Sequence, residues 1–210
     1  MQLCGSRSLV FHRAAHDGGL RPDLQSLSMI IESVDGIGLL WYTVEAFADF
    51  VLRLEWRASA PDDNSGVFVR FPSLGSNDAA NDWQLAVDQG YEIQIDDTGK
   101  NPDTNPVTFG DPLRLTGAVY KLSPATKLAS LPVGQWNSYD IQAKGRNVTV
   151  TLNGQVVSML KNGNRPLKGH VGLQNHHFGS RIQFCNLRIK VLSVSPVRLS
   201  ENAWPCTRSV

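Results

Sequence analysis

The chain has 210 residues, 41% of them hydrophobic and 19% charged, with a formal net charge of +1. That composition predicts a packed globular protein, and the near-zero charge with no Lys/Arg cluster gives a nucleic-acid partner no basis. No apolar run approaches the length of a membrane span, and three cysteines (Cys4, Cys185, Cys206) without metal-like spacing argue against a disulfide framework or a zinc site.

The opening "MQLCGSRSLVFHRAAHDGG" breaks its only apolar stretch at His12 and Arg13, too soon for a signal-peptide core, so a cytoplasmic setting is expected. Residues 1–28 lack strand periodicity and are expected as a partly ordered appendage, as are residues 193–210 at the other end. Strand signals dominate residues 29–192, which are expected to form one domain. "FVLRLEW" alternates Phe50, Leu52, Leu54 and Trp56 against Val51, Arg53 and Glu55. The short β-rich runs "GVFVRF" and "YEIQI" follow, then "YDIQA", "VTVTLNGQVVSML", "HVGLQNH" and "IQFCNLRIKVL". Asn153-Gly154, set between alternating β-formers, predicts a type I′ hairpin. Residues 72–89 and 97–117 read as long loops, a length associated with binding sites in compact β proteins. No segment carries a sustained 3.6-residue stripe, so the expected fold is all-β, an antiparallel sandwich or barrel.

Several strands put a polar row on one face. Glu92, Gln94 and Asp96 oppose Tyr91, Ile93 and Ile95; Arg53 and Glu55 oppose Leu54 and Trp56; Arg70 opposes Val67 and Val69; Gln174 and His176 oppose Val171 and Leu173. Two readings stay open at this point, a solvated outer face and the floor of a site. Cys185 reads as a buried small hydrophobe and Trp56 as core. "PDDNSG" reads as a turn rather than a calcium loop, and the sequon at Asn147 as chance. Trp83 falls in a long loop, where an indole is placed to meet a ligand. His176 and His177 are expected to project to opposite faces of one strand, so that one alone joins any given site. No cofactor is expected. A divalent metal held by His170, His176 and an acidic residue is the alternative, though the spacing is not diagnostic.

Eight segments, "ADFVLRLEWR", "DDNSGVFVRFP", "GYEIQIDD", "TGAVY", "PVGQWNSYDIQAKG", "VTLNGQVV", "RPLKGHVGLQNH" and "IQFCNLRIKVL", occur in an order that resembles the 3-keto-disaccharide hydrolase family over about residues 29–192. The resemblance implies a concanavalin A-like jelly-roll sandwich of two antiparallel sheets. It also implies a small carbohydrate substrate and cleavage of glycosides whose glucose ring is a ketone at carbon 3, by hydrolysis or by elimination and hydration. Carried over motif by motif, it singles out Arg70, Glu92, Gln94, Asp96, Tyr120, Gln174 and His176. The chain departs from the family's usual opening, of the type "LFNGKDLSGW", with "GGLRPDLQSLSM", which predicts an edge strand missing or altered at the start of the fold.

"EIQID" also resembles the "EIDIE" strand of laminarinase-like glycoside hydrolases. Four residues of strand, however, separate the α-carbons of Glu92 and Asp96 by roughly 13 Å, and a retaining pair needs carboxyl groups about 5–5.5 Å apart. Chemistry on a 3-keto sugar does not need that pair. It needs a base for the acidified proton at carbon 2, positive charge or donors for the developing oxyanion, and an acid for the leaving oxygen. The candidates are Glu92 or His176 as base, Arg70 facing the oxyanion, and Asp96 or Tyr120 assisting departure. Gln94, Tyr120, Gln174, Glu55 and Trp83 are the substrate-binding candidates. A non-catalytic, lectin-like carbohydrate-binding module is the competing class, because this architecture serves both roles. Neither a membrane nor a nucleic-acid partner is expected, and the oligomeric state is not legible.

Overall fold

A computed structural model describes residues 2–5, 9–13, 29–34, 36–74 and 82–192. In chain order the strands are β1 (Gln2–Gly5), β2 (Leu9–Arg13), β3 (Met29–Ser33), β4 (Gly38–Trp41), β5 (Phe50–Ala58), β6 (Ser65–Phe71), β7 (Tyr91–Ile95), β8 (Asn137–Lys144), β9 (Asn147–Leu152), β10 (Gln155–Leu160), β11 (His170–Asn175) and β12 (Ile182–Val191), with one helix, α1 (Asp82–Gln89), before β7. They form two antiparallel sheets, β1-β4-β11-β6-β7 and β10-β9-β8-β5-β12-β3-β2, the all-β sandwich that the alternating strands foreshadow, in the concanavalin A-like jelly-roll form that the family resemblance implies.

The core lies between the sheets, and period-two alternation builds it. Phe50, Leu52, Leu54 and Trp56 of β5, with Tyr139 and Ile141 of β8, pack against Val67 and Val69 of β6 and Tyr91, Ile93 and Ile95 of β7. Burying each such large side chain contributes about 1.5–3 kcal/mol. Asn153 and Gly154 take φ of 49° and 77°, both positive as a type I′ turn demands, and join β9 to β10 as expected.

Three elements differ from the sequence expectation. The first 28 residues supply β1, which pairs with β4, and β2, which pairs with β3, so part of the expected appendage belongs to the sandwich. The expected tail at 193–210 lies outside the described residues. Second, the expected loop at 72–89 contains α1. Two turns are too short to display a periodic stripe, and the helix is held by packing: Ala86 is buried with Trp83, Leu85 and Val87 against Leu39, Trp41, Phe68, Phe71 and Leu74. Third, β6 bulges at Arg70. Val69 pairs with Val171 and Phe71 with His170, which leaves Arg70 as the extra residue, with φ of 57°. Phe71 thereby joins Phe68 on the outer face, and Arg70 loses its expected place there.

The outer face of the five-stranded sheet is consequently divided. Register aligns Trp41, Gly172, Phe68 and Glu92 in one cross-strand row. The next row runs from Leu39 through Gln174 to Gly66 and Gln94, Leu39 pairing with Gln174 and Gly66 with Gln94. Helix α1 roofs the aromatic half, and the polar half stays open.

Candidate functional site

The open half is the floor of a cleft of about 820 Å³, within the usual range for ligand sites. Glu92, Gln94 and Gln174 rise from the floor, all buried. Gly66 shapes it: a Cβ built on Gly66 would lie 2.5 Å from Glu92 Oε1 and 2.9 Å from Glu92 Cγ. The Glu92 side chain thus lies across the bare backbone of β6, toward Gln174. Gln94 Nε2 donates to Asn64 Oδ1 (3.3 Å). Among the described residues, Gln94 Oε1 and Gln174 Oε1 are buried and accept no hydrogen bond, a costly state for an amide that has no ligand.

Residues after β7 build one wall. Segment 116–120 hydrogen-bonds along β7, with Gly117 N donating to Gln94 O, Ala118 O accepting from Gln94 N, and Tyr120 N donating to Glu92 O. This fixes Tyr120 beside Glu92. Arg114 Nη1 donates to Tyr120 Oη (2.7 Å), which leaves the phenolic proton for another acceptor. Arg114 also pairs with Asp103, as does Lys121 at 2.9 Å. The opposite wall is α1, with Trp83 lining the cleft from the helix rather than from a loop. Arg165 closes a third side, its Nη1 donating to Val87 O (2.6 Å) and Gly90 O.

Asp96 lines the cleft, but its carboxylate organises the wall. Oδ1 accepts from Thr98 N (2.9 Å), Thr98 Oγ1 (2.6 Å) and Gly99 N (3.1 Å), and Oδ2 from Lys100 N (3.2 Å) and Asn64 Nδ2 (3.3 Å). Five donors saturate its acceptor sites, which suits a loop anchor better than a proton donor.

Burial pushes the Glu92 carboxyl up to about 8, against the lowering influence of the Gln174 hydrogen bond and of the Arg165 and Lys121 charges. His176 moves the other way, down to about 4, through burial and then the neighbouring charge of His177. The cleft therefore presents a carboxyl poised near neutrality and a neutral imidazole.

Arg70 and Glu55 do not reach the cleft. The bulge sends the Arg70 guanidinium to Ala48 O (2.9 and 2.6 Å), Gly145 O (2.5 Å) and Asp49 Oδ1 (2.9 Å), where it ties loops together as a fully buried structural cation. Glu55 stands on the outer face of the other sheet, accepting from Asn186 Nδ2 (2.9 Å) and facing Cys185, whose buried thiol is pushed up to about 12. His176 and His177 both line the cleft, against the expectation of opposite faces, because β11 ends at Asn175 and both rings fall in the following turn. The alternative metal set is not assembled. His170 Nδ1 contacts Tyr42 O at 2.9 Å with its ring against Trp41, and among the described residues no three His, Cys, Asp or Glu side chains converge. "PDDNSG" is a turn, in which Asp63 Oδ2 accepts from Ser59 N and Ala60 N.

Residues missed by the sequence reading complete the site: Arg165, Lys121, Arg114 and Asn64 line it, and Gly66 makes room for Glu92. Arg165, Asn64 and Gly66 stand in the quoted segments "RPLKGHVGLQNH" and "DDNSGVFVRFP". Their place in those motifs was the available signal.

The sequence profile of the 3-keto-alpha-glucoside-1,2-lyase-like domain matches residues 12–190. Two crystal structures of candidate glycosyl hydrolases from Parabacteroides distasonis superpose on the chain. One has a TM-score of 0.62 at 25% identity over 78% of this chain and 87% of that one. The other has a TM-score of 0.63 at 21% identity over 78% and 81%, and speaks for the fold alone. No curated protein sequence matches the chain.

Proposed function

Because the chain belongs to the 3-keto-alpha-glucoside-1,2-lyase-like family, we propose that its cleft binds a glycoside oxidised to a ketone at carbon 3 and cleaves it by elimination, with hydration to follow. At family level the domain is a carbohydrate-active, glycosyl hydrolase-like one. The observation that carries the finer reading is the buried Glu92, with its carboxyl near 8, between two amides whose oxygens have no partner.

Elimination uses those groups as follows. The ketone acidifies the proton at carbon 2, and ionised Glu92 removes it; a base matched to neutral pH combines a useful ionised fraction with useful basicity. Negative charge develops on the ketone oxygen, where Arg165 and Lys121 supply the positive field that Arg70 was expected to give. The electron pair then moves to form the C1–C2 double bond and the C1–O bond breaks. Gln94 Oε1 and Gln174 Oε1 accept hydrogen bonds from ring hydroxyls, Tyr120 offers its free proton as a further contact, and Trp83 offers an indole face to the sugar.

The test is turnover of a 3-keto-glucoside beside the unoxidised glucoside. Release of aglycone from the keto sugar alone is expected. Tight binding of either sugar without turnover would replace this reading with the lectin-like module.

A further inference from the structure

The imidazoles of His176 and His177 meet Nδ1 to Nδ1 at 2.8 Å, with ring planes 85° apart. Two ring nitrogens this close share one proton, one donating and the other accepting. His176 is half-buried in the cleft, whereas His177 is exposed at its mouth. With Nδ1 engaged by its neighbour, His176 keeps Nε2 as its remaining ring nitrogen. Burial and the charge of His177 disfavour a proton on His176, which keeps the inner ring neutral.

The elimination derived above leaves one requirement unfilled, a proton for the departing oxygen. We propose that His177 is a proton-relay residue that acts through His176 to protonate the leaving oxygen, an inference that rests on the elimination reading. His177 as imidazolium donates its Nδ1–H to Nδ1 of His176, which is neutral and carries its own proton on Nε2. As the C1–O bond breaks and its electron pair passes to the leaving oxygen, His176 gives the Nε2 proton to that oxygen and takes the Nδ1 proton from His177. His176 ends neutral as the other tautomer, and His177 ends neutral. The proton taken from carbon 2 stays on Glu92 until it is released, and His177 recovers its proton from solvent. No positive charge rests on the half-buried ring at any stage. The arrangement explains why two adjacent histidines share one cleft wall: the inner ring touches substrate and the outer ring touches water.

The experiment compares wild type and His177→Ala on two 3-keto-glucosides, one with a nitrophenyl and one with an alkyl leaving group. A nitrophenolate departs without a proton, and an alkoxide does not. The relay predicts that the variant's kcat for the alkyl glucoside falls by about 100-fold, the lower range for lost general-acid help, that the nitrophenyl rate is nearly unchanged, and that imidazole in the buffer restores the alkyl rate. Equal loss on both substrates, no loss on either, or a selective loss that imidazole does not restore would each overturn the relay. If wild type itself cleaves neither substrate, it is the elimination reading that fails, and the relay fails with it.

Discussion

Glu92→Gln is expected to lower kcat/KM for a 3-keto-glucoside by at least about 100-fold, the lower range for loss of a general base, and to raise the melting temperature at alkaline pH. Both effects come from one feature, a carboxyl buried on the sheet floor and held near 8 by desolvation. An amide keeps the shape and the hydrogen bond to Gln174 but takes up no proton from carbon 2. The stability effect has a definite sign. The Glu92 carboxyl has its folded value near 8, above the ordinary 4.5 of an exposed glutamate. Between those values the folded chain holds a proton that the unfolded chain releases. Stability is therefore full below about pH 4.5 and is lost as pH rises through about 8. The glutamine variant lacks this loss, so its advantage grows across that window and then levels off. Thermal melts from pH 4 to 9 read it directly. The same proton sets the activity profile: kcat/KM of wild type for a nitrophenyl 3-keto-glucoside, whose leaving group needs no acid, rises with pH toward a plateau above about 8 if Glu92 is the base. A profile that falls above that pH would make Glu92 an acid instead, and an unchanged rate in the variant would remove it from the chemistry.

Gly66→Ala is expected to lower kcat by about 100-fold, the penalty that an ångström-scale misplacement of a catalytic group can carry, while the domain stays folded. Gly66 lies in β6 without a positive φ, so alanine fits its backbone. What alanine does not fit is Glu92, whose Oε1 and Cγ lie 2.5 and 2.9 Å from where the new Cβ would stand. The carboxyl must move off β6 and away from Gln174. Circular dichroism and a melt establish the fold, and steady-state kinetics establish the loss. Wild-type kcat in this variant would mean that the position of Glu92 over Gly66 has no role in turnover.

Much of the sandwich was legible because alternation survives wherever one strand face is buried. β5 shows this best, with Phe50, Leu52, Leu54 and Trp56 inward and Arg53 outward, as does the Asn153-Gly154 hairpin. The site was legible in its floor and illegible in its walls. Glu92, Gln94 and Gln174 lie on regular strands, so period two placed them on one face. Arg70 followed the same rule and failed, since a single residue in left-handed geometry reverses the parity of everything after it. His177 was misplaced for a related reason: the strand ends at Asn175, and a turn has no parity. Arg165, Lys121 and Arg114 come from irregular segments whose position depends on tertiary hydrogen bonds, such as Tyr120 N to Glu92 O. No local pattern encodes those. Helix α1 was hidden by its length, because two turns carry too few residues to separate a stripe from chance.

The proposed reaction begins with removal of the proton at carbon 2 of a 3-keto sugar. The most direct measurement is the rate of cleavage of a 3-keto-glucoside carrying deuterium at carbon 2, set against the protiated compound. Elimination predicts a primary isotope effect on kcat/KM and deuterium lost from carbon 2 of the product. Cleavage at equal rates with the deuterium retained at carbon 2 would contradict it.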